Sequence, residues 1–158
     1  MNVEIVKASI DHVAALAADC RAEDIAEFHA LSRSTPTQVL ELGLRVSTVA
    51  YTAFVDGVPV CMFGVSPYSY LAGQGIPWMV STNGLKGRRL QRAVMTVSLD
   101  VVDDFKELFP SLLFNSVDDR NESAKKWLGW LGFKLLDPVP LGVDKLLFRP
   151  FYWSPSDV

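Results

Sequence analysis

Apolar positions recur along the chain with two different periods, and the switches between them mark out its elements. Asn2 to Lys7 sets Val3 and Ile5 against Glu4 and Lys7, which predicts a short half-buried strand interrupted at Val6. Ser9 then reads as a helix cap, because its hydroxyl can accept from free backbone N–H groups. Asp11 suits the positive end of the helix dipole, and Val13, Leu16, Ala17 and Cys20 follow at helical spacing. Polar Arg21 to Asp24 precedes a further amphipathic stretch through Ile25, Phe28 and Leu31. Thr35-Pro36-Thr37-Gln38 combines a capping box with proline at the first helical position, so a second helix is predicted to about Arg45.

Ser47 to Val55 is rich in Val, Thr, Tyr and Phe, Asp56-Gly57 supplies the positive φ angles of a tight turn, and Val58 to Val65 returns, which predicts a hairpin. Ser66 to Gly75 reads as a loop on its proline, tyrosines and glycines, followed by a strand from Ile76 to Ser81 and a turn from Asn83 to Gly87. From Arg88 onward Leu90, Val94, Val97, Val101, Phe105 and Leu108 recur every three or four residues, a long amphipathic helix that Pro110 stops. Ser111 to Val117 predicts a short strand. Ala124, Trp127, Leu128 and Leu131 lie on one side of the next helix, and Gly132 fits its left-handed cap. Phe133 to Leu136 reads as extended, Pro138 and Pro140 as a loop, and Asp144 to Phe151 as the last strand. The order is strand, two helices, three-strand meander, long helix, strand, helix and closing strands. A mixed α/β sheet with helices on both faces satisfies it, because each strand–helix–strand passage needs a crossover covering a sheet face.

Composition narrows the class without naming a chemistry. A chain of 158 residues, 49% hydrophobic and 21% charged, supports one domain over residues 1–158 that folds alone. A net charge of −3 argues against nucleic acid and anionic membrane as partners. No apolar run is long enough to span a bilayer and the first residues lack a secretory pattern, so a cytoplasmic location is expected. Cys20 and Cys61 are expected as reduced core thiols, and His12 and His29 stand without a metal-ligand pattern. Gly64-Val65-Ser66-Pro67 lacks the framing of a nucleophile elbow. The tryptophans are expected mostly in the core, with Trp127 or Trp130 beside Gly129 as a candidate partner surface.

Asn121-Glu122-Ser123-Ala124 with Gly132-Phe133 further on resembles the Asn-x-x-Ala and Gly-Phe of the GCN5-related N-acetyltransferase (GNAT) family, and the element order resembles that family over essentially the whole chain. The resemblance implies a mixed, mostly antiparallel central sheet. It also implies that Asn121 lies at the pantetheine of a bound acetyl-CoA or CoA, or at the end of its own helix. Read without the family, Asn121 is a cap, Ala124 a small core residue and Gly132 a helix stop. Cys61-Met62-Phe63-Gly64-Val65, after Asp56-Gly57-Val58-Pro59-Val60, and Trp127 to Phe133 look like small acetyltransferase-like accessory proteins of tailed bacteriophages, some of them internal virion proteins.

Ser81-Thr82-Asn83-Gly84-Leu85-Lys86-Gly87-Arg88-Arg89-Leu90 takes the place of the family's Gln/Arg-x-x-Gly-x-Gly/Ala loop, whose amides hold a diphosphate at a helix start. With Gly87 as the last position, Thr82 replaces the Gln/Arg and Leu85 the first glycine, so the loop is rebuilt. The cofactor set the resemblance implies is Val80, Ser81, Thr82, Leu85, Lys86, Gly87, Arg88, Arg89 and Asn121. Lys86, Arg88 and Arg89 also read as ordinary surface charges on a solvated turn. Each cation at a helix start is unfavourable to the dipole by about 0.3–1 kcal/mol, which an anion would offset. The family's thiolate-protonating Tyr falls on Leu128, which cannot donate a proton. The candidates left for catalysis are Ser81, the polar side chain on its strand able to orient water, and Tyr68, with Tyr70 beside it in the preceding loop.

Two readings stay open on the sequence. One is an acetyltransferase-like protein moving an acyl group to the amine of a small molecule or protein. The other is a noncatalytic, virion-associated or host-interacting phage protein that keeps the fold. A third idea is an oligomer paired through the last strand. The functional reading requires the turn amides to converge on a diphosphate-sized hollow, unplugged by a side chain such as that of Leu85, and the two middle strands to splay.

Overall fold

The computed structural model describes residues 1–157, and Val158, the end of the expected domain, lies outside them. Strand β1 (Val3–Lys7) is followed by a 3-10 turn capped by Ser9 and by helices α1 (Val13–Ala18), α2 (Ala22–Ser32) and α3 (Pro36–Val46). Strands β2 (Val49–Val55), β3 (Val58–Ser69) and β4 (Gln74–Ser81) form the meander. Helix α4 (Arg88–Leu108), strand β5 (Leu112–Asp118), helix α5 (Glu122–Trp130) and strands β6 (Lys134–Leu135), β7 (Val139–Leu141) and β8 (Leu146–Trp153) complete the order.

The local signals act as read. Asp56 (φ 49°) and Gly57 (φ 80°) both take positive φ and close the β2–β3 hairpin. Thr35 and Gln38 form their reciprocal capping box at α3. Gly132 (φ 93°) ends α5 in a Schellman motif, with the Gly132 amide on the Gly129 carbonyl and the Phe133 amide on that of Leu128.

Four expectations need correction. Between β1 and β2 there are three helices rather than two, because extended Arg21 (ψ 141°) breaks the first from the second and Cys20 bridges to Thr82. The expected loop from Ser66 to Gly75 shrinks to its middle. β3 runs on to Ser69, with Pro67 accommodated where the register shifts between Pro67 and Ser69, so its missing donor breaks no regular ladder. Pro140 sits in a strand whose pairing is with β8, where proline is tolerated at an edge. Finally, β8 pairs with β5 on one side and with β6 and β7 on the other, so the last strand offers no edge for the expected oligomer.

The described residues make one eight-stranded sheet in the order β1-β2-β3-β4-β5-β8-β6, with β7 on β8, and only the β4–β5 pair is parallel. Helices α1 to α3 cover one face, where Val13, Leu16, Phe28 and Leu40 meet Met62 and Val80. Helices α4 and α5 cover the other, over Phe63, Val65, Phe105, Phe109, Phe133 and Phe151. Among the described residues no helix is long and apolar enough to cross a membrane. Both cysteines are free and buried, and burial pushes each thiol up to about 12.

The parallel pair positions everything that follows. β4 and β5 pair only at Gln74–Leu112 and Gly75–Leu113, then diverge toward their C-terminal ends. Gly75 is required there, since a Cβ would lie 2.6 Å from the Phe109 ring.

Candidate functional site

A cavity of about 400 Å³ passes through the sheet where β4 and β5 part. On one face it meets Phe28, Leu31, Val39 and Leu42 of α2 and α3, and on the other Val102, Phe105, Trp127 and Phe151. Pairing of the Thr82 amide with the Val60 carbonyl (2.9 Å) fixes the phase of the β3–β4 ladder. The alternation of that ladder then turns the N–H and C=O of Met79 and Ser81, and the C=O of Pro77, toward β5.

Side chains fill part of that gap. Asn115 Nδ2 donates to the Pro77 carbonyl (2.9 Å) at the inner end. At the outer end the Ser81 amide donates to Asp24 Oδ2 (3.0 Å), the Arg21 amide donates to the Ser81 carbonyl (3.1 Å), and the Asp118 amide of β5 donates to Glu27 Oε1 (2.8 Å). The Met79 N–H and C=O between these ties have no partner among the described residues.

The carboxylates come from the start of α2. Asp24, 6% exposed, also accepts from Asn121 Nδ2 (3.2 Å) and lies 3.8 Å from Arg21 Nη1. Burial raises its pKa, against the Ser81 amide and Arg21, which lower it. Arg21 donates onward to Asn121 and Ser123, tying α2 to α5 across the mouth of the splay. Burial pushes Glu27 up to about 7, with Asp24 and Asp118 adding like charge and the Asp118 amide and Asn121 side chain opposing. Asp118 itself is held low by Arg120, which offsets its burial. A carboxylate that titrates near neutrality at a cavity wall is poised to take up a proton.

The turn after β4 divides in two. From Ser81 to Leu85 every backbone N–H has an internal acceptor, in order Asp24, the Val60 carbonyl, the Asp19 carbonyl, Thr82 Oγ1 and the Thr82 carbonyl. From Lys86 to Leu90 none has one among the described residues, and Gly87 caps α4 without a side chain. Gly87 holds φ 86°, and a Cβ there would meet nothing within 4 Å. Lys86, Arg88 and Arg89 are exposed and unpaired among the described residues. Free amides, the positive end of a 21-residue helix and three cations stand together there, the features that an anion site requires.

The sequence-predicted residues are thereby sorted. Val80 points into the core under α1 and α2, Thr82 is committed to Val60, and Leu85 is buried on the α4 face, where its side chain also lines the cavity. Lys86, Gly87, Arg88 and Arg89 stand at the free half of the turn. Asn121 caps α5 and holds Asp24, so its polar atoms are used inside the fold. Ser81 lines the cavity, whereas Tyr68 does not. Tyr68 is 64% exposed at the other end of β3, edge-on to Phe114, roughly 20 Å of strand from Ser81. Trp127 lines the cavity and Trp130 is exposed. Sequence reasoning missed Asp24, Glu27 and Met79. The available signal was that Asp24 and Glu27 fall on the same α2 stripe as Phe28 and Leu31, acids placed on an apolar face.

No protein-family model matches the chain, and no curated protein matches it in sequence. Solved structures do match in shape. A ribosomal-protein-alanine N-acetyltransferase from Brucella melitensis is 14% identical, with 96% of this chain and 99% of that one covered and a TM-score of 0.68. A spermidine N-acetyltransferase from Vibrio cholerae, solved with CoA and spermine, is 10% identical over 98% and 96% with a TM-score of 0.69. An N-acetyltransferase from Staphylococcus aureus Mu50 is 13% identical over 98% and 99% with a TM-score of 0.67. The chain therefore has the GNAT fold, a mixed, mostly antiparallel sheet with helices on both faces.

Proposed function

We propose that this protein binds acetyl-CoA or CoA in the splay between β4 and β5 and transfers an acyl group to an amine. The fold alone does not license this. The observation that carries it is one continuous cavity running from the α2 carboxylates through the sheet toward α5, beside the helix start that keeps its amides free. The residues present fit the cofactor. The amides from Lys86 to Leu90, with Lys86, Arg88 and Arg89, would hold the diphosphate. The unpaired N–H and C=O of Met79 would pair with an amide-bearing arm laid along β4, as a neighbouring strand would.

Acetyl-CoA, when bound, would supply the acyl group as a thioester whose C–S bond breaks as the amine's N–C bond forms, the thiolate taking through water the proton that the attacking nitrogen sheds. Glu27 accepts the proton that an ammonium must lose before its nitrogen can attack. Its titration near 7 makes it a base at neutral pH, so the rate rises between about pH 6 and 8. Leu128 stands where the resemblance would put an acid, which leaves departure of the thiolate unassisted by that position. Ser81 lines the cavity with its amide held by Asp24, and it serves as a wall that positions rather than as an acid.

A thermal shift with acetyl-CoA tests the reading. At a hundredfold excess over the dissociation constant, binding should add roughly 2.7 kcal/mol, and thiol release in the presence of an amine should follow. Absence of any shift at millimolar acetyl-CoA removes the cofactor and the reaction together.

A second reading is a noncatalytic binding protein, with a virion or host component as partner if the phage resemblance holds. The internally committed amides from Ser81 to Leu85 favour it, together with Leu128. It predicts a stoichiometric protein complex that forms without CoA, read by size-exclusion chromatography.

A further inference from the structure

We infer that the acceptor is a primary amine carried on an apolar body, a monocation whose ammonium sits against Glu27 with its hydrocarbon between α2 and Trp78. This names the substrate class for the acyl transfer proposed above and rests on that reading.

The charges of the chamber are one cation short. Asp24 has Arg21 at 3.8 Å, and Asp118 has Arg120 at 2.6 Å. Glu27 has two neutral donors, the Asp118 amide and the Asn121 side chain, and no cation within ion-pair distance among the described residues. The charged groups acting on it are Asp24 on its own helix, Asp118 at the end of β5 and Arg120 on the turn that follows, and Arg21 lines the same cavity. An ammonium beside Glu27 would supply the missing charge, which neither neutral donor brings.

The rest of the chamber selects what that ammonium is attached to. Phe28 and Leu31 continue the α2 stripe from Glu27, and Leu42 faces them from α3. Leu31 and Leu42 stay 43% and 49% exposed at the mouth, apolar area that a hydrocarbon would cover. The Trp78 wall is fixed. Its Nε1 donates to Ser47 Oγ (2.7 Å), and its ring lies so close to Gly43 that a Cβ there would come within 2.6 Å. The polar residues at the mouth are Ser32, Ser34 and Gln38, which carry no charge. A second ammonium on the same ligand would lose its hydration there without a carboxylate to receive it.

Calorimetric titration of the full chain without nucleotide separates these features, using hexylamine, hexan-1-ol and spermidine at pH 8. Hexylamine should bind at least tenfold more tightly than the alcohol, which lacks the charged contact, and at least tenfold more tightly than spermidine. At pH 5.5, where Glu27 is protonated, the preference for amine over alcohol should collapse. Glu27→Gln at pH 8 should abolish it too while remaining folded, since glutamine still accepts from the Asp118 amide. Equal binding of amine and alcohol, or tighter binding of spermidine, overturns the inference. The two readings fail separately. Amine preference without an acetyl-CoA shift removes acyl transfer and leaves an amine site, whereas an acetyl-CoA shift without amine preference removes the substrate class alone.

Discussion

The two ends of the β4–β5 pair are closed by opposite means. At the inner end two backbone pairings, with Phe109 lying over Gly75, shut the strands with apolar contact. At the outer end the strands are held apart, and Asp24 and Glu27 satisfy the amides that the missing pairing leaves exposed. An apolar closure stabilises the fold directly, while buried carboxylates raise its free energy unless something binds them. The inner end therefore serves architecture, and the outer end is where the proposed function places a ligand. Phe109→Ala should break the first without touching the second. Phe109 is fully buried, so the loss should be about 3–5 kcal/mol, read from the denaturant midpoint, with the cavity left open on its outer side.

Glu27→Gln tests the other end. The folded protein holds the Glu27 proton up to about 7, well above its ordinary value of 4.5, so native Glu27 binds protons that the unfolded chain has released. Between those pH values stability falls as pH rises, by on the order of 3 kcal/mol in total. The variant carries no such charge. It should match the parent near pH 4 and be the more stable of the two at pH 8 by up to that amount, with the base function gone. Chemical denaturation at both pH values measures the difference, and a variant destabilised at pH 8 would mean that the Glu27 charge has a partner in the folded state.

Elements whose cause is local were readable from the residues themselves, whereas the splay was expected only through the family resemblance and the side chains that hold it open were not. Thr35, Asp56-Gly57 and Gly132 act on their immediate neighbours, so their residue types carry the structure with them. The outer end depends on Asp24 meeting the Ser81 amide 57 residues away and Glu27 meeting that of Asp118 at a separation of 91. Such pairings leave no periodic trace. Asp24 also sits in the first turn of α2 beside Glu23, where acids are ordinary helix-start residues, and this hid its reach across the sheet. Pro67 misled in the other direction, since a proline that suggests a loop is tolerated at an irregularity inside a long strand. Of the site, the cations from Lys86 to Arg89 were visible as a cluster beside glycines. Which amides of that turn remain free follows only from the docking of Asp19 and Val60 against its first half.

Asn115 stands at the boundary between the two ends, holding the Pro77 carbonyl across the first open step. Asn115→Ala leaves that carbonyl facing the cavity and should cost about 1 kcal/mol. The same change widens the passage through the sheet and should weaken any discrimination of the acceptor by size. A loss near the Phe109→Ala value would instead place Asn115 in the apolar closure.

The smallest effect on stability is expected where the largest effect on ligand binding is. Arg88 and Arg89 stand in the first turn of α4, close to its positive end, with no acid in that turn and no partner among the described residues. In the free protein they repel the dipole and each other, so Arg88→Ala and Arg89→Ala should each stabilise by about 0.3–1 kcal/mol at low salt, an effect that fades as salt screens it. With acetyl-CoA present the sign should reverse, because the same two charges then face a diphosphate, and the thermal shift of the double variant should fall well below that of the parent. Stabilisation in the free protein together with an undiminished acetyl-CoA shift would mean that the free half of the turn is ordinary solvated surface. Acetyl-CoA would then be held by contacts other than these two charges.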